Sequence, residues 1–266
     1  MLAALLLLAI LIPVRSIGAG NDTRQALSYT PSSVVNAASN LPGALAPNTI
    51  GTLYGQELAA ITRALRPEDI REGTMPTLLP GTGVRVVISG ITAQIYFVSP
   101  GQINFLVPAN LRAVPGTLQV FHDGRAGPQV PLRLDEAAPA LFEQPGAFAV
   151  AANAEGAAVG PDSPVHPGDL VVLYATGLGE TAPPLRYGEI PKAAVAVKDP
   201  GAVQVLLDGK PAAPSDLYYA GVTPGFAGLY QINVRIPDWA PRDPEVHVAV
   251  GGIRSQGQVK LAIRPR

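Results

Sequence analysis

Short apolar runs, separated by turns rich in glycine and proline, fill the chain from Ser33 to the C terminus. The clearest runs are TIGTLYG, VRVVIS, TLQVF, LVVLYA, VQVLLDG, INVRIP and VHVAV. In VHVAV, Val246, Val248 and Val250 alternate with two other residues, which is the two-residue period of a half-buried antiparallel strand. The pattern therefore predicts many short β-strands joined by tight turns.

One polar stretch, from Ile61 to Arg71, has a weak helical pattern. Pro67 interrupts this stretch, and proline inside a helix removes a backbone hydrogen bond and clashes with the preceding turn. We therefore expect a loop or a single helical turn there.

The strand pattern occurs twice. The matching pairs are Gln102 with Gln231, Asn104 with Asn233, Pro108 with Pro237, Pro47 with Pro167 and Tyr54 with Tyr174. The first three pairs have an offset of 129 (231 − 102), and the last two have an offset of 120 (174 − 54). The difference of nine (129 − 120) indicates a net insertion in the second copy, to which the loop from Gly221 to Gly228 contributes. Two copies of one β-domain are the simplest explanation.

Composition supports an all-β globular protein. The chain has 28 glycines, 28 prolines and only 15% charged residues, which suits strands and turns better than long helices. Its net charge of −1 and its even spread of Lys and Arg give no basic patch for nucleic acid. The absence of cysteine excludes disulfides, thiolate nucleophiles and cysteine-based metal sites.

The N-terminal segment has the pattern of a secretory signal peptide. An apolar run from Leu2 to Ile12 ends at Pro13 and Arg15, which is too short for a membrane-spanning helix of about 20 residues. Small residues near Gly18 and Ala19 fit a cleavage site. We predict a signal peptide at residues 1–19, a linker at residues 20–32 and no membrane span after signal removal.

Several motifs resemble one known family. In chain order they are NAAS, SPGQINFLVP, AAPALF, HPGDLVVLYATGLGE and AGVTPGFAGLYQINVRIP. From about Val34 to Ile263 the chain resembles an uncharacterised C-terminal module of secreted acidobacterial proteins. HPGDLVVLYATGLG also resembles the IPT/TIG class of immunoglobulin-like domains. The family has no established activity, so the resemblance implies architecture and location without a mechanism.

Together, the repeat and the resemblance predict an all-β fold of two tandem immunoglobulin-like β-sandwich domains. We place the first sandwich at residues 33–142 and the second at residues 143–266. The boundary is expected within the Pro- and Ala-rich stretch from Ala138 to Pro164, with the two sandwiches in separate sheets.

The sequence contains no convincing catalytic or metal site. His166 lies close in sequence to Ser163 and Asp169, but no G-x-S-x-G motif is present to expose a serine nucleophile. A turn leading into the following strand explains this stretch better. The other histidines, His122 and His247, lack metal-site spacing and are expected to be surface strand residues. We predict no catalytic residue, no cofactor and no metal ligand.

Aromatic residues make up only 6% of the chain, so their positions are informative. Tyr96 and Phe97 correspond to Tyr218 and Tyr219 in the second copy, and this repetition predicts a packing role for all four.

Three other aromatic residues are candidates for ligand or partner contact: Trp239, Phe226 and Tyr187. Trp239 corresponds to Asn110, so the repeated fold does not require an aromatic residue there. It is either an exposed surface for a sugar or a partner, or a side chain that covers the end of the sandwich. Phe226 is the only large apolar side chain in the Gly221–Gly228 loop, and we expect it to be buried, first of all against the other half of the chain. An external partner is the alternative.

The predicted function is a secreted, non-catalytic structural or interaction module of unknown ligand, located in the periplasm, at the cell surface or outside the cell. It would scaffold or join extracellular proteins or polysaccharides, without nucleic acid. A carbohydrate-binding module is the alternative, and a hydrolase is the third possibility.

Overall fold

A computed structural model describes residues 26–112 and 114–265. The predicted signal peptide and residues 20–25 of the predicted linker lie outside the described residues. The first half contains strands β1 (Val34–Asn36), β2 (Ile50–Tyr54), β3 (Arg63–Ala64), β4 (Val84–Ile88), β5 (Ile91–Thr92), β6 (Gln94–Ser99), β7 (Gln102–Leu106), β8 (Gly116–His122), β9 (Arg125–Ala126) and β10 (Val130–Leu132). The second half contains strands β11 (Ala140–Leu141), β12 (Glu143–Gln144), β13 (Phe148–Ala149), β14 (Ala151–Asn153), β15 (Ala158–Val159), β16 (Leu170–Thr176), β17 (Val195–Ala196), β18 (Val203–Leu207), β19 (Lys210–Pro211), β20 (Leu217–Val222), β21 (Tyr230–Arg235), β22 (Val246–Val250) and β23 (Ile253–Arg254). Short 3-10 turns lie at Pro31–Ser33, Pro67–Asp69, Pro200–Ala202 and Pro214–Asp216.

The 3-10 turn at Pro67–Asp69 confirms the expectation of a single helical turn in the Ile61–Arg71 stretch. Proline at the first helical position is tolerated because its missing N–H would have no intrahelical partner.

The first half is a sandwich of two antiparallel sheets. One sheet has the strand order β1-β2-β7-β6-β3, and the other has the order β10-β8-β4-β5, with β9 paired to β8. Alternate side chains point between the sheets and form one core, which includes the fully buried Leu53, Val86, Ile103 and Leu118.

The second half repeats this arrangement. Its larger sheet has the order β15-β14-β16-β21-β20-β17, with β11 paired to β16, and its smaller sheet has the order β19-β18-β22-β23. A separate core lies between them and includes Val171, Leu173, Ile232 and Val248. The protein is all-β, with two immunoglobulin-like β-sandwiches in tandem, which confirms the predicted fold class.

The repeat extends to individual residue pairs. Tyr54 lies opposite Gln102 across β2 and β7, and Tyr174 lies opposite Gln231 across β16 and β21. β6 has a register shift between Ile95 and Phe97, and β20 has one between Leu217 and Tyr219. The two copies therefore share an extra residue in the same strand, as a β-bulge requires.

Tight hairpins connect the strands of the smaller sheets. The turns at Ser89–Gly90, Asp123–Gly124, Asp208–Gly209 and Gly251–Gly252 have positive φ at both residues. This is the requirement of a type I′ turn, whose twist matches that of the flanking strands. The four turns occupy matching places in the two halves.

The two halves differ in the connection between the bulged strand and its neighbour. Pro100–Gly101 joins β6 to β7, whereas the longer segment Thr223–Leu229 joins β20 to β21. We call Thr223–Leu229 the inserted loop. It lies within the segment that the sequence indicated as inserted, although Gly221 and Val222 belong to β20.

Each sheet takes its strands from one half, and among residues 26–112 and 114–265 one isolated β-bridge, between Thr74 and Glu189, joins the halves. Ala140–Leu141 pairs with Ala175 and Thr176 of β16. These two residues, which the sequence assigned to the first sandwich, thus belong to a sheet of the second, because their backbone groups pair with β16.

Candidate functional site

The His166 segment is a turn that both halves share. Asp169 Oδ2 accepts the N–H of His166 at 2.8 Å, and the Asp169 N–H donates to the His166 carbonyl at 3.0 Å. At the matching place, Thr49 Oγ1 accepts the N–H of Ala46 at 3.0 Å, and the Thr49 N–H donates to the Ala46 carbonyl at 3.0 Å. Because alanine replaces the histidine in the first half, the turn needs the capping side chain and not the imidazole.

The prediction that His122 is a surface residue is wrong. His122 is only 4% exposed, and its Nδ1 lies 3.2 Å from the Glu57 carbonyl. The segment at Glu57 covers this end of β8, which the strand pattern alone did not indicate. His247 is half-buried on β22, with Nδ1 3.2 Å from the Ser255 carbonyl.

Trp239 lies beyond the C-terminal end of β21 and is 37% exposed. The Lys210 ammonium of β19 lies 4.0 Å from the centre of the Trp239 ring. This cation–π contact joins the Trp239 turn to the β18–β19 hairpin and occupies one face of the indole.

Tyr187 is half-buried in the segment that follows β16, and burial raises its pKa. The next residues contact the first half. The Met75 N–H donates to the Gly188 carbonyl at 2.9 Å, and the Ile190 N–H donates to the Gly73 carbonyl at 2.8 Å. Tyr187 thus lies next to two backbone hydrogen bonds that connect the halves.

Phe226 is half-buried at the centre of the inserted loop. It packs against a third apolar cluster, distinct from the two sandwich cores. The buried members of this cluster are Ala38, Ile50, Met75, Tyr96, Phe97, Leu106, Ala140, Phe142, Ala227 and Leu229. Since these residues come from both halves, we call the cluster the joint. Phe226 therefore packs inside the chain, as expected from the sequence, with part of its ring exposed.

Hydrogen bonds hold the inserted loop on the first half. The Tyr96 hydroxyl donates to the Ala227 carbonyl. The Ile50 N–H donates to Thr176 Oγ1 at 2.9 Å, and that hydroxyl donates to the Gly228 carbonyl at 2.7 Å. Thr176 thereby links β2 of the first half to the inserted loop of the second.

The joint needs glycine at Gly228. Its φ is +69°, and an added Cβ would lie 2.5 Å from Leu106 Cδ1 and 2.6 Å from the Asn48 carbonyl oxygen. The backbone of the inserted loop thus touches the first half directly, where no side chain fits.

Tyr230 anchors the loop from the second half. It is fully buried, its hydroxyl donates to the Gly179 carbonyl at 2.5 Å, and burial raises its pKa. The motifs ATGLGE and GFAGLYQINVRIP therefore contribute Thr176, Ala227 and Leu229 to the joint.

The packing role predicted for the repeated aromatic residues is confirmed in the first half only. Tyr96 and Phe97 are 6% and 5% exposed within the joint, whereas Tyr218 is 63% exposed and Tyr219 is half-buried. The prediction is wrong for Tyr218 because no other half covers the second copy.

The structure does not bring the three predicted contact residues together. Tyr187 and Phe226 lie beside the joint, where the Gly225 N–H donates to the Pro191 carbonyl at 2.7 Å. Trp239 follows the opposite end of β21, a strand about 20 Å long. Sequence reasoning overlooked Tyr218 as an exposed residue. One sequence feature could have indicated its exposure. Arg235 stands in the second copy at the position of Leu106, and a charged residue there indicates that this face is not covered.

A solvent-open groove of about 320 Å³ runs along the segment between the halves. Leu41 and Ile253, which are 55% and 44% exposed, both line it. Arg133 and Asp135 form a two-point ion pair in this groove, with distances of 3.1 and 2.7 Å. The groove is lined by residues of both halves.

Within residues 26–112 and 114–265, no helix is long and apolar enough to cross a membrane. The same ranges hold no group of three or more His, Asp or Glu side chains placed to bind a metal ion.

No family model and no curated protein matches the sequence. Among solved structures, the chain is similar to the surface glycan-binding protein PbSGBP-B from Prevotella bryantii, with 9% identity and a TM-score of 0.26 over 88% of this chain and 41% of that one. It is also similar to the I9–I11 tandem of titin, with 8% identity and a TM-score of 0.24 over 91% of this chain and 67% of that one. The tandem Ig repeats of Dlar match at 10% identity and a TM-score of 0.22, over 84% of this chain and 93% of theirs. The chain thus spans about two fifths of the length of the glycan-binding protein.

Proposed function

We propose that the protein is a non-catalytic interaction module that acts outside the cytoplasm and holds its two sandwiches at a fixed mutual orientation. The observation that carries this proposal is the joint. An interface with a buried apolar cluster and several backbone hydrogen bonds restricts the domain motion that small polar interfaces permit. Binding surfaces on the two halves would then have a defined spacing.

The proposed domain division follows the sheets. We place the boundary between Glu136 and Pro139, because β11 begins at Ala140 and pairs within the second half. The proposed export rests on the apolar run Leu2–Ile12 and the small residues after it. The proposal that the chain belongs to the secreted acidobacterial module, with IPT/TIG-like halves, rests on sequence motifs whose residues lie in the joint.

Export is tested by fractionating bacteria that express the full chain with a C-terminal tag. The tagged protein is expected in the periplasm or the medium, with an N terminus that starts after Gly18 or Ala19. Retention of the full-length chain in the cytoplasm contradicts export. A panel of hydrolase substrates tests the non-catalytic role, and turnover that survives purification to homogeneity would contradict it.

Substitution of Phe226 distinguishes a contact within the joint from a contact with an external partner. Because the ring is half-buried in the joint, Phe226→Ala is expected to cost about 1–2 kcal/mol, less than a full core truncation. Thermal melting measures the loss. An unchanged melting temperature, combined with lost retention on a cell-envelope fraction, would make Phe226 a partner-binding residue.

A further inference from the structure

The duplicated bulge places two consecutive aromatic side chains on the outer face of each larger sheet. In the first half, Ile95 and Val98 point into the sandwich core, while Tyr96 and Phe97 both point into the joint. A regular strand would send neighbouring side chains to opposite faces, and a bulge can redirect one of them. The matching bulge in β20 therefore directs both Tyr218 and Tyr219 outward.

In the second half this outer face is open. Tyr218 is the most exposed large apolar residue of the described ranges, at 63%. Tyr219 lies along the strand, with its hydroxyl 3.3 Å from the Val222 carbonyl. A Cβ at Gly221 would come within 2.3 Å of that hydroxyl. The missing side chain of Gly221 thus leaves room for the Tyr219 ring against the sheet.

Planar polar side chains line the adjacent strand. Asn233 is paired with Tyr219, and Arg235 follows on the same face of β21. The Asn233 Oδ1 accepts Gln231 Nε2 at 3.2 Å, and its Nδ2 has no hydrogen-bond partner among the described residues. We call Val172, Tyr218, Tyr219, Asn233 and Arg235 the tyrosine face.

The tyrosine face is continuous with the joint and more polar than it. Tyr174, which follows Val172 by two residues on β16 and lies on the same face, packs against the joint. At matching positions, Leu106 of the joint, 1% exposed, becomes Arg235, and the buried Phe97 becomes Tyr219. The Arg235 guanidinium thus stands where the joint buries an aliphatic side chain.

The charge on this face is balanced. Arg235 Nη1 lies 3.7 Å from Asp216 Oδ1, and Nη2 lies 3.2 Å from Asp238 Oδ1. A ligand here meets aromatic rings, amide and guanidinium donors and carboxylate acceptors without excess positive charge. This chemistry fits a polymer with both C–H faces and hydroxyl groups.

We propose that the tyrosine face binds a neutral polysaccharide chain. Sugar rings stack on Tyr218 and Tyr219, and sugar hydroxyls accept hydrogen bonds from Asn233 Nδ2 and donate to the carboxylates beside Arg235. The inference deepens the proposed function, on which it rests, by naming the partner class and the surface.

Affinity electrophoresis of the purified chain tests the proposal in gels that contain xylan, mixed-linkage β-glucan, galactomannan or soluble starch, with alginate as the anionic comparison. At least one neutral polymer is expected to retard the protein more than alginate does. Tyr218→Ala is expected to weaken that binding about tenfold, which corresponds to the loss of one aromatic contact. Its melting temperature should stay unchanged, since Tyr218 is exposed.

The matched control is Ile253→Ala, which truncates another exposed apolar residue on the other sheet and should bind as the wild type does. Tyr218→Trp should retain binding because it preserves a stacking surface. The proposal is overturned if no neutral polymer retards the wild type, or if Tyr218→Ala and Ile253→Ala bind equally well. It is also overturned if the wild type is a dimer that Tyr218→Ala dissociates, since the face would then join two copies. None of these results alters the export and turnover tests of the proposed function.

Discussion

Single residues at matching places in the two halves have diverged in burial, and this divergence gives internal controls. Asn104 is fully buried, accepts Gln102 Nε2 at 2.7 Å and lies 3.4 Å from the Thr52 hydroxyl. Asn233 is half-buried, with one bond of 3.2 Å from Gln231. In both copies the asparagine Oδ1 accepts a bond from the glutamine two residues earlier on the same strand.

Asn104→Ala is expected to destabilise the protein by about 1–3 kcal/mol, because the buried Gln102 and Thr52 lose an acceptor. Asn233→Ala should cost less than about 1 kcal/mol, since water can replace its single partner. Denaturant unfolding of both variants measures the difference. Equal losses of unfolding free energy in the two variants would show that burial does not determine how much this asparagine stabilises the protein.

Sequence patterns predicted which residues of the strands face the cores, because alternation along a strand is a local property. They did not predict the burial of His122 or the exposure of Tyr218. Both depend on whether a distant segment covers the strand. The repeat alone could not distinguish the copy that is covered from the copy that is open.

At the scale of elements, the inserted loop is the main difference between the copies. The sequence located it through the unequal offsets of the repeat. The prediction that Phe226 of this loop packs against the other half is confirmed. The sequence did not reveal the hydrogen bonds that Tyr96 and Thr176 donate to the loop, since nothing local encodes the partners of a loop.

Gly228→Ala is expected to loosen the joint, because the added methyl group would clash with Leu106 and Asn48. Gly225→Ala is a matched control. Gly225 also has positive φ, at +83°, but its Cβ would enter open space. Both variants therefore share the backbone cost of about 1 kcal/mol, and only Gly228→Ala adds the clash. Small-angle scattering should show a larger radius of gyration for Gly228→Ala than for Gly225→Ala. Identical scattering profiles would mean that the halves do not depend on this contact.

At the scale of the whole molecule, two buried phenols make the stability of the folded protein sensitive to alkaline pH. Burial raises the pKa of Tyr96 and of Tyr230 above the usual value of 10.0. In the unfolded chain both phenols ionise near that value, while the folded protein keeps them protonated. The folded state then binds more protons, so stability is fully present below pH 10 and falls as the pH rises above it.

Melting temperatures measured at pH 8 and at about pH 10.5 test this dependence. Tyr96→Phe should be less stable than the wild type at pH 8, because the Ala227 carbonyl loses its donor. Its further loss at the higher pH should be smaller than that of the wild type, since the buried phenol of Tyr96 no longer contributes. The control is Tyr218→Phe, which removes an exposed hydroxyl. A Tyr218→Phe profile that matches Tyr96→Phe would rule out burial as the cause.

The unequal loops also limit how far such a protein can grow. A unit that attaches to its own copy through two complementary surfaces extends into an open filament when every copy carries both surfaces. Here the inserted loop, Thr223–Leu229, exists only in the second copy. The surface that receives it on the first copy includes Leu106, whose counterpart in the second copy is Arg235. Each copy thus carries one member of the pair, and Arg235 disfavours the attachment of a further copy through the same contact. Arg235→Leu would remove that obstacle.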